Sequence, residues 1–157
     1  MNTDMKRRSI LKGTLAAGIA GVAASAGLLT PQAVLAAWPK AAFEAKGLDN
    51  ATNALFGSSS LTASGDIEIK APPIAENGAV VNVAISSTLP AESITIFVEK
   101  NNQPLASSFN LSDSTDAFVK TRIKVAKTSS VIAVVKSGGK LYSAGREVKV
   151  TIGGCGG

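Results

Sequence analysis

Beyond Ser64 the apolar residues recur with a period of two, and that rhythm restricts this part of the chain to half-buried strands. Ile67 and Ile69 alternate with Glu68 and Lys70. Val81, Val83 and Ile85 alternate with Asn82 and Ala84, and Ile94, Ile96 and Val98 with Thr95, Phe97 and Glu99. Val119, Thr121, Ile123 and Val125 alternate with Phe118, Lys120, Arg122 and Lys124. Val148, Val150 and Ile152 do the same against Glu147, Lys149 and Thr151. Val131 to Val135 is apolar throughout, the pattern of a strand buried on both faces. Between the runs lie Pro72-Pro73, Glu76-Asn77-Gly78, Leu89-Pro90, Asn101-Asn102, Ser112-Asp113-Ser114 and Gly138-Gly139, all turn or loop chemistry. With Leu105 to Leu111 and a short run near Leu141-Tyr142, the pattern predicts roughly seven or eight strands, a mainly β chain of immunoglobulin-like sandwich architecture. A domain of about a hundred residues encloses a modest core.

Ahead of the strands, 37–60 reads as helical. Trp38, Ala41, Ala42 and Ala45 share a face, with Pro39 tolerated in the first turn. After Gly47 the run Leu48 to Phe56 is expected as a second short helix, with Asp49 or Asn50 near its start and Gly57-Ser58-Ser59-Ser60 breaking it. Trp38 and Phe43 are expected in core packing or facing a partner.

The residues before Ala37 form an address. Lys6-Arg7-Arg8-Ser9-Ile10-Leu11-Lys12 is a twin-arginine n-region, Gly13 to Leu29 a mild apolar stretch, and Val34-Leu35-Ala36 a small-residue cleavage site. We therefore expect a signal peptide over 1–36, export by the twin-arginine pathway to the periplasm, and no membrane attachment once the signal is cleaved. The leader carries Lys6, Arg7, Arg8 and Lys12 against Asp4, which is most of the net charge of +5. The remainder is nearly balanced and has no basic stripe interleaved with aromatics, so nucleic acid is not an expected partner.

Histidine is absent. That removes the commonest general base and metal ligand, and with them any Cys–His pair or Ser–His–Asp triad within the chain. One cysteine without histidine builds neither a zinc nor an iron–sulfur site alone. No Walker-type loop occurs: Ser137-Gly138-Gly139-Lys140 lacks the upstream glycine and reads as a turn. No cofactor and no metal site are expected, and a partner protein explains folded export better than a cofactor does. Carboxylate-only catalysis stays open in principle, but nothing in the sequence pairs the acids.

Two surface features have alternative readings. The polar segment Asp66 to Pro73, with Glu76 and Asn77, is either an edge blunted against aggregation or a docking edge. Lys120, Arg122 and Lys124 form either a solvated strand face or a patch that attracts anions or steers a partner.

The remaining chemistry lies in 153–157. Cys155 is the sole cysteine, flanked by Gly153, Gly154, Gly156 and Gly157. Glycine lacks a Cβ and resists both helix and strand, so these residues make a tether. Three steps from Ile152 give the sulfur about 10 Å of swing. An exposed free thiol is a hazard that soluble proteins avoid, which favours a handle offered to other molecules over a frayed tail.

Several segments resemble the SoxY family of sulfur-oxidation carrier subunits. These are the twin-arginine leader, Ile69-Lys70-Ala71-Pro72 through Glu76-Asn77-Gly78-Ala79-Val80-Val81, and Glu92-Ser93-Ile94 through Val98-Glu99-Lys100-Asn101. The strand Arg122-Ile123-Lys124 and the closing run Val148 to Ile152 with Gly153-Gly154-Cys155-Gly156-Gly157 complete the set. The resemblance implies a carrier rather than an enzyme, with Cys155 as the covalent attachment point for thiosulfate-derived sulfur and the four glycines as a swinging arm. It implies a heterodimer with a SoxZ-like subunit that lacks its own signal. It also implies service by a haem protein that forms the S–S bond, a sulfate-releasing hydrolase and, in some pathways, a molybdenum–haem enzyme that oxidises the sulfane sulfur.

Only a thiolate is nucleophilic, and the terminal carboxylate near Cys155 disfavours a second negative charge. A weakly activated thiol that relies on its partners' catalysis is the expectation. In an oxidising compartment such a thiol also pairs between molecules, so a Cys155–Cys155 linked dimer of heterodimers is an expected resting or off-pathway form. Two other readings stand beside the carrier: a structural sandwich that uses Cys155 only for cross-linking, and a thiol enzyme acting alone, which the lack of histidine weakens. The organisation expected is thus signal 1–36, helical segment 37–60, sandwich 61–152 and arm 153–157.

Overall fold

The computed structural model describes residues 39–151. Two short helices lead, α1 (Lys40–Glu44) and α2 (Leu48–Phe56). Nine strands follow among the described residues: β1 (Thr62–Ala63), β2 (Ile67–Lys70), β3 (Ile74–Ala75), β4 (Val81–Ser87), β5 (Ser93–Val98), β6 (Leu105–Asn110), β7 (Phe118–Ile123), β8 (Ser129–Ser137) and β9 (Lys140–Val150). The larger sheet has the order β1-β9-β8-β5-β6, with β3 also on β9, and the smaller has the order β2-β4-β7. The two sheets face each other as an immunoglobulin-like sandwich.

The hairpin of β8 and β9 is the backbone of the larger sheet. Gly138 and Gly139 both take positive φ, 54° and 75°, the left-handed pair that a two-residue hairpin turn needs to match strand twist. Pairing then runs unbroken from Ser137 opposite Lys140 to Ser129 opposite Val148. The short run at Leu141-Tyr142 and the closing strand, separate in the sequence reading, are therefore one strand. The additional strands β1 and β3 have two residues each and owe their existence to parallel pairing with β9.

Ile69, Val83, Ile85, Ile94, Ile96, Val98, Val119, Val131, Ala133 and Val135 meet between the sheets. Each such aliphatic side chain removed from water contributes about 1.5–3 kcal/mol. A second apolar layer lies on the outer face of the larger sheet. There Phe97, Leu105, Val134 and Leu141 are covered by Ala42 and Ala51 of the helices, with Phe43, Leu48, Leu55 and Phe56 packed around them. This layer explains why β5, whose sequence alternates, is buried at all six positions: its second face has helices on it instead of water. Phe43 belongs to this packing, while Trp38 lies outside the described residues.

The helices correct one local expectation. Ala42 is buried but Ala41 is exposed, and Ala45 is already extended at φ −62°, ψ 142°. A five-residue helix is too short to keep all three alanines on one face. The second helix spans Leu48–Phe56 as expected, with Gly47 at its N-cap and no side-chain cap. Asp49 sits in the first turn, where its charge complements the helix dipole. Its end is as expected: Gly57 at φ 74° donates its N–H to the Asn53 carbonyl at 2.8 Å.

Candidate functional site

Cys155 and the glycines Gly153, Gly154, Gly156 and Gly157 lie outside the described residues, so the site is built from the root that precedes them. That root is the end of β9, and it is clamped on both edges. On one edge the Thr128 hydroxyl accepts the Val150 N–H at 3.0 Å. On the other, the main chain of β3 and the residue before it receives the strand: the Lys149 N–H donates to Pro73 O at 3.0 Å, and the Thr151 N–H to Ala75 O at 3.2 Å. The N–H groups of Lys149, Val150 and Thr151 thus all find acceptors.

Gly78 wedges against the same root. Asn77 shapes its turn by accepting the Ala79 N–H on its side-chain Oδ1 at 2.9 Å and the Val80 N–H on its carbonyl at 3.3 Å. The Gly78 carbonyl in turn accepts the Val125 N–H at 2.7 Å. A Cβ on Gly78 would overlap the Val125 carbonyl and lie 2.9 Å from Cγ1 of Val150. Glycine is needed here for close backbone approach, not for an unusual φ. The Asn-Gly pair reads as a turn in sequence, and that signal hides the packing role.

Beside the root opens a cleft of about 410 Å³ lined by Lys100, Ala126, Lys127, Thr128 and Val150. Lys100, Lys127 and Lys149 have no ion-pair partner among the described residues. Two of them, Lys100 and Lys127, line the cleft, while the exposed Glu76, next to the Ala75 that pairs with Val150, and Glu99, next to Lys100, place carboxylates nearby in sequence. Apolar surface is close by in sequence: Ile74 of β3 and Val80 are 55% and 53% exposed.

The two surface features of the sequence fall on strands of the smaller sheet. Asp66 to Pro73 contains the edge strand β2, whose Glu68 lies 3.5 Å from Lys70. Lys120, Arg122 and Lys124 are exposed along or just beyond the other edge strand β7, with Phe118 at its start 52% exposed. A wider cleft of about 570 Å³ sits at the opposite end of the molecule, lined by the β4–β5 and β6–β7 loops and Gly138. Ten residue steps along β9 separate that end from the root, about 33 Å. There the Lys136 ammonium, 2.8 Å from Glu92, holds the Glu92 carboxyl below the usual carboxylate range, helped by the Gly139 N–H. Among the described residues no three His, Cys, Asp or Glu side chains gather as metal ligands.

A β-sandwich whose final strand is locked in place a few residues before a glycine-flanked cysteine in the sequence defines the class of this chain. Comparison with known proteins gives that class a family. The family described as "Sulfur oxidation protein SoxY" matches residues 52–155, a span that includes the sole cysteine. A solved structure, that of the sulfur carrier protein SoxY from Chlorobium limicola f thiosulfatophilum, is 47% identical over 67% of this chain and 96% of its own, with a TM-score of 0.61. No curated protein matches the chain. The chain belongs to the SoxY family.

Proposed function

We infer that this chain is the cysteine-bearing sulfur-carrier subunit of a thiosulfate-oxidising system, acted on by enzymes and not itself one. One observation carries the reading: the family match runs through residue 155 and so includes Cys155. The similarity to a solved sulfur carrier protein supports it. In this reading the leader 1–36 sends the folded chain through the twin-arginine route to the periplasm, together with a SoxZ-like subunit. Four residue steps from Thr151 put the Cys155 sulfur within about 14 Å of the clamped root, and Gly153, Gly154, Gly156 and Gly157 let it turn at the end of that reach.

The chemistry belongs to the partners. Joining the Cys155 thiolate to the terminal sulfur of thiosulfate forms an S–S bond and releases two electrons, which a haem-containing partner accepts. A sulfate-releasing hydrolase then adds water to the sulfonate group, liberating sulfate and leaving a persulfide on Cys155. In some pathways a molybdenum–haem enzyme oxidises that sulfane sulfur further. The chain contributes the thiol and the reach, and it offers no histidine to act as a base.

Intact mass spectrometry of the mature protein from cells grown on thiosulfate, before and after reductant, tests the reading. Sulfur or sulfonate adducts that map to Cys155 are expected. A clean Cys155–Cys155 disulfide with no adduct under any sulfur condition would replace the carrier with a cross-linking protein.

A further inference from the structure

The edges of the two sheets are not alike. An open edge invites pairing with another chain, and proteins blunt it with short strands, charges or proline. Both β1 and β3 have only two residues. The four-residue β2 carries Glu68 and Lys70 and runs into Pro72-Pro73, and β7 carries Lys120 and Arg122. The remaining edge, β6, has no charge and no proline of its own: Leu105-Ala106-Ser107-Ser108-Phe109-Asn110 is six residues long, with Pro104 just before it and a register shift against β5 between Ser107 and Leu105, so that its regular stretch is Ser107 to Asn110.

Register shows what that edge presents. Val98 donates its N–H to Pro104 O at 2.8 Å, and Leu111 donates to Glu92 O at 2.9 Å. Between these anchors the alternation of an antiparallel ladder turns the main chains of Ser107 and Phe109 toward β5, opposite Ile96 and Ile94. The main-chain groups of Ser108 and Asn110 therefore point outward, and no described residue pairs with them. The Ser107 hydroxyl is buried without a hydrogen-bond partner among the described residues. Alongside, a groove of about 440 Å³ separates Leu105 and Ala106 from Arg122 and Lys124, neither of which has an ion-pair partner among the described residues.

We propose that β6 is the seat of the companion subunit, which adds a strand to the larger sheet at Ser108 and Asn110 and sets acidic side chains against Arg122 and Lys124. This rests on the heterodimer reading above and deepens it. A long, uncharged edge is an aggregation hazard whenever it is open. A stable subunit covers it permanently, whereas enzymes that visit the arm leave it bare between visits. A second copy of this chain is the poorer occupant, because twofold pairing of β6 with β6 brings the Arg122 and Lys124 pairs of both copies to one junction.

Amide hydrogen exchange by NMR on the intact heterodimer, with this chain labelled, tests the proposal. The Ser108 and Asn110 amides should exchange within tenfold of the sheet-interior amide of Ile96. Reversing the groove charge with Arg122→Glu and Lys124→Glu should weaken the heterodimer at least tenfold at low salt, with the fold intact by circular dichroism. A heterodimer in which Ser108 and Asn110 exchange a hundredfold faster than Ile96 would overturn the β6 seat and leave the carrier reading standing. Homodimers of this chain that protect the same two amides would overturn the choice of occupant. Failure to form any heterodimer would overturn this proposal together with the partner reading on which it rests.

Discussion

Replacing Gly78 by alanine puts one methyl group where the structure has no room for it. The added Cβ meets the Val125 carbonyl, which is main chain and cannot swing aside, and comes within 2.9 Å of Cγ1 of Val150. Relief requires the Asn77 turn to back away, stretching the 2.7 Å bond from the Val125 N–H to the Gly78 carbonyl. Forcing a methyl into a packed site costs about 1–3 kcal/mol, and weakening one buried hydrogen bond adds about 1 kcal/mol. The expected loss is therefore about 2–4 kcal/mol, or roughly 10 °C in Tm for a domain of this size. Urea unfolding followed by circular dichroism measures it, and the m-value should be unchanged. Gly65→Ala is the internal control, since nothing lies within 4 Å of its Cβ position. It should stay within about 0.5 kcal/mol of the parent. A Gly78→Ala protein as stable as the Gly65→Ala control would refute the claim that Gly78 is a close-approach glycine beside the end of β9.

Two further outcomes follow from the same structure. Glu92 has its pKa lowered by Lys136 and the Gly139 N–H, so the contact contributes stability above the ordinary carboxylate value of 4.5 and loses it as pH falls below that value. In Glu92→Gln the urea midpoint should therefore change less between pH 7 and acid than in the parent; an unchanged acid slope would show that the pair contributes nothing. In the carrier reading, Gly154→Val with Gly156→Val should leave the unfolding curve unaltered while transfer of sulfur by partner enzymes falls at least tenfold. Normal turnover by that double variant would sink the swinging arm.

Much of the sandwich was legible because burial and period coincide in it. Val119 and Ile123 turn inward while Lys120 and Arg122 turn outward, as the alternation requires, and Gly138-Gly139 marks the hairpin whose turn it makes. What escaped depends on contacts distant in sequence. The two-residue strands β1 and β3 are too short to carry a period, and only their pairing with β9 defines them. Thr95 and Phe97 of β5 occupy positions that read as a second, wetter face, yet both are fully buried because two helices lie over them or their neighbours. Gly78 was legible as a turn and not as a packing contact, since Val125 and Val150 are far along the chain. As for the site, Cys155 was conspicuous by being the only thiol between glycines, whereas the clamp at its root was not. Thr128 looks like any loop threonine until its hydroxyl is seen on Val150.

The clamp also decides how the domain bears load. In the carrier reading, a pull applied at Cys155 by a partner enters the fold at Thr151 and runs along the axis of β9. The ladder to β8, from Val148 to Lys140, and the two bonds to the β3 segment lie across that axis. They are strained together in shear and do not open one rung at a time. In that reading the tension is spread over β9, the longest strand among the described residues, and the sandwich does not unzip behind it.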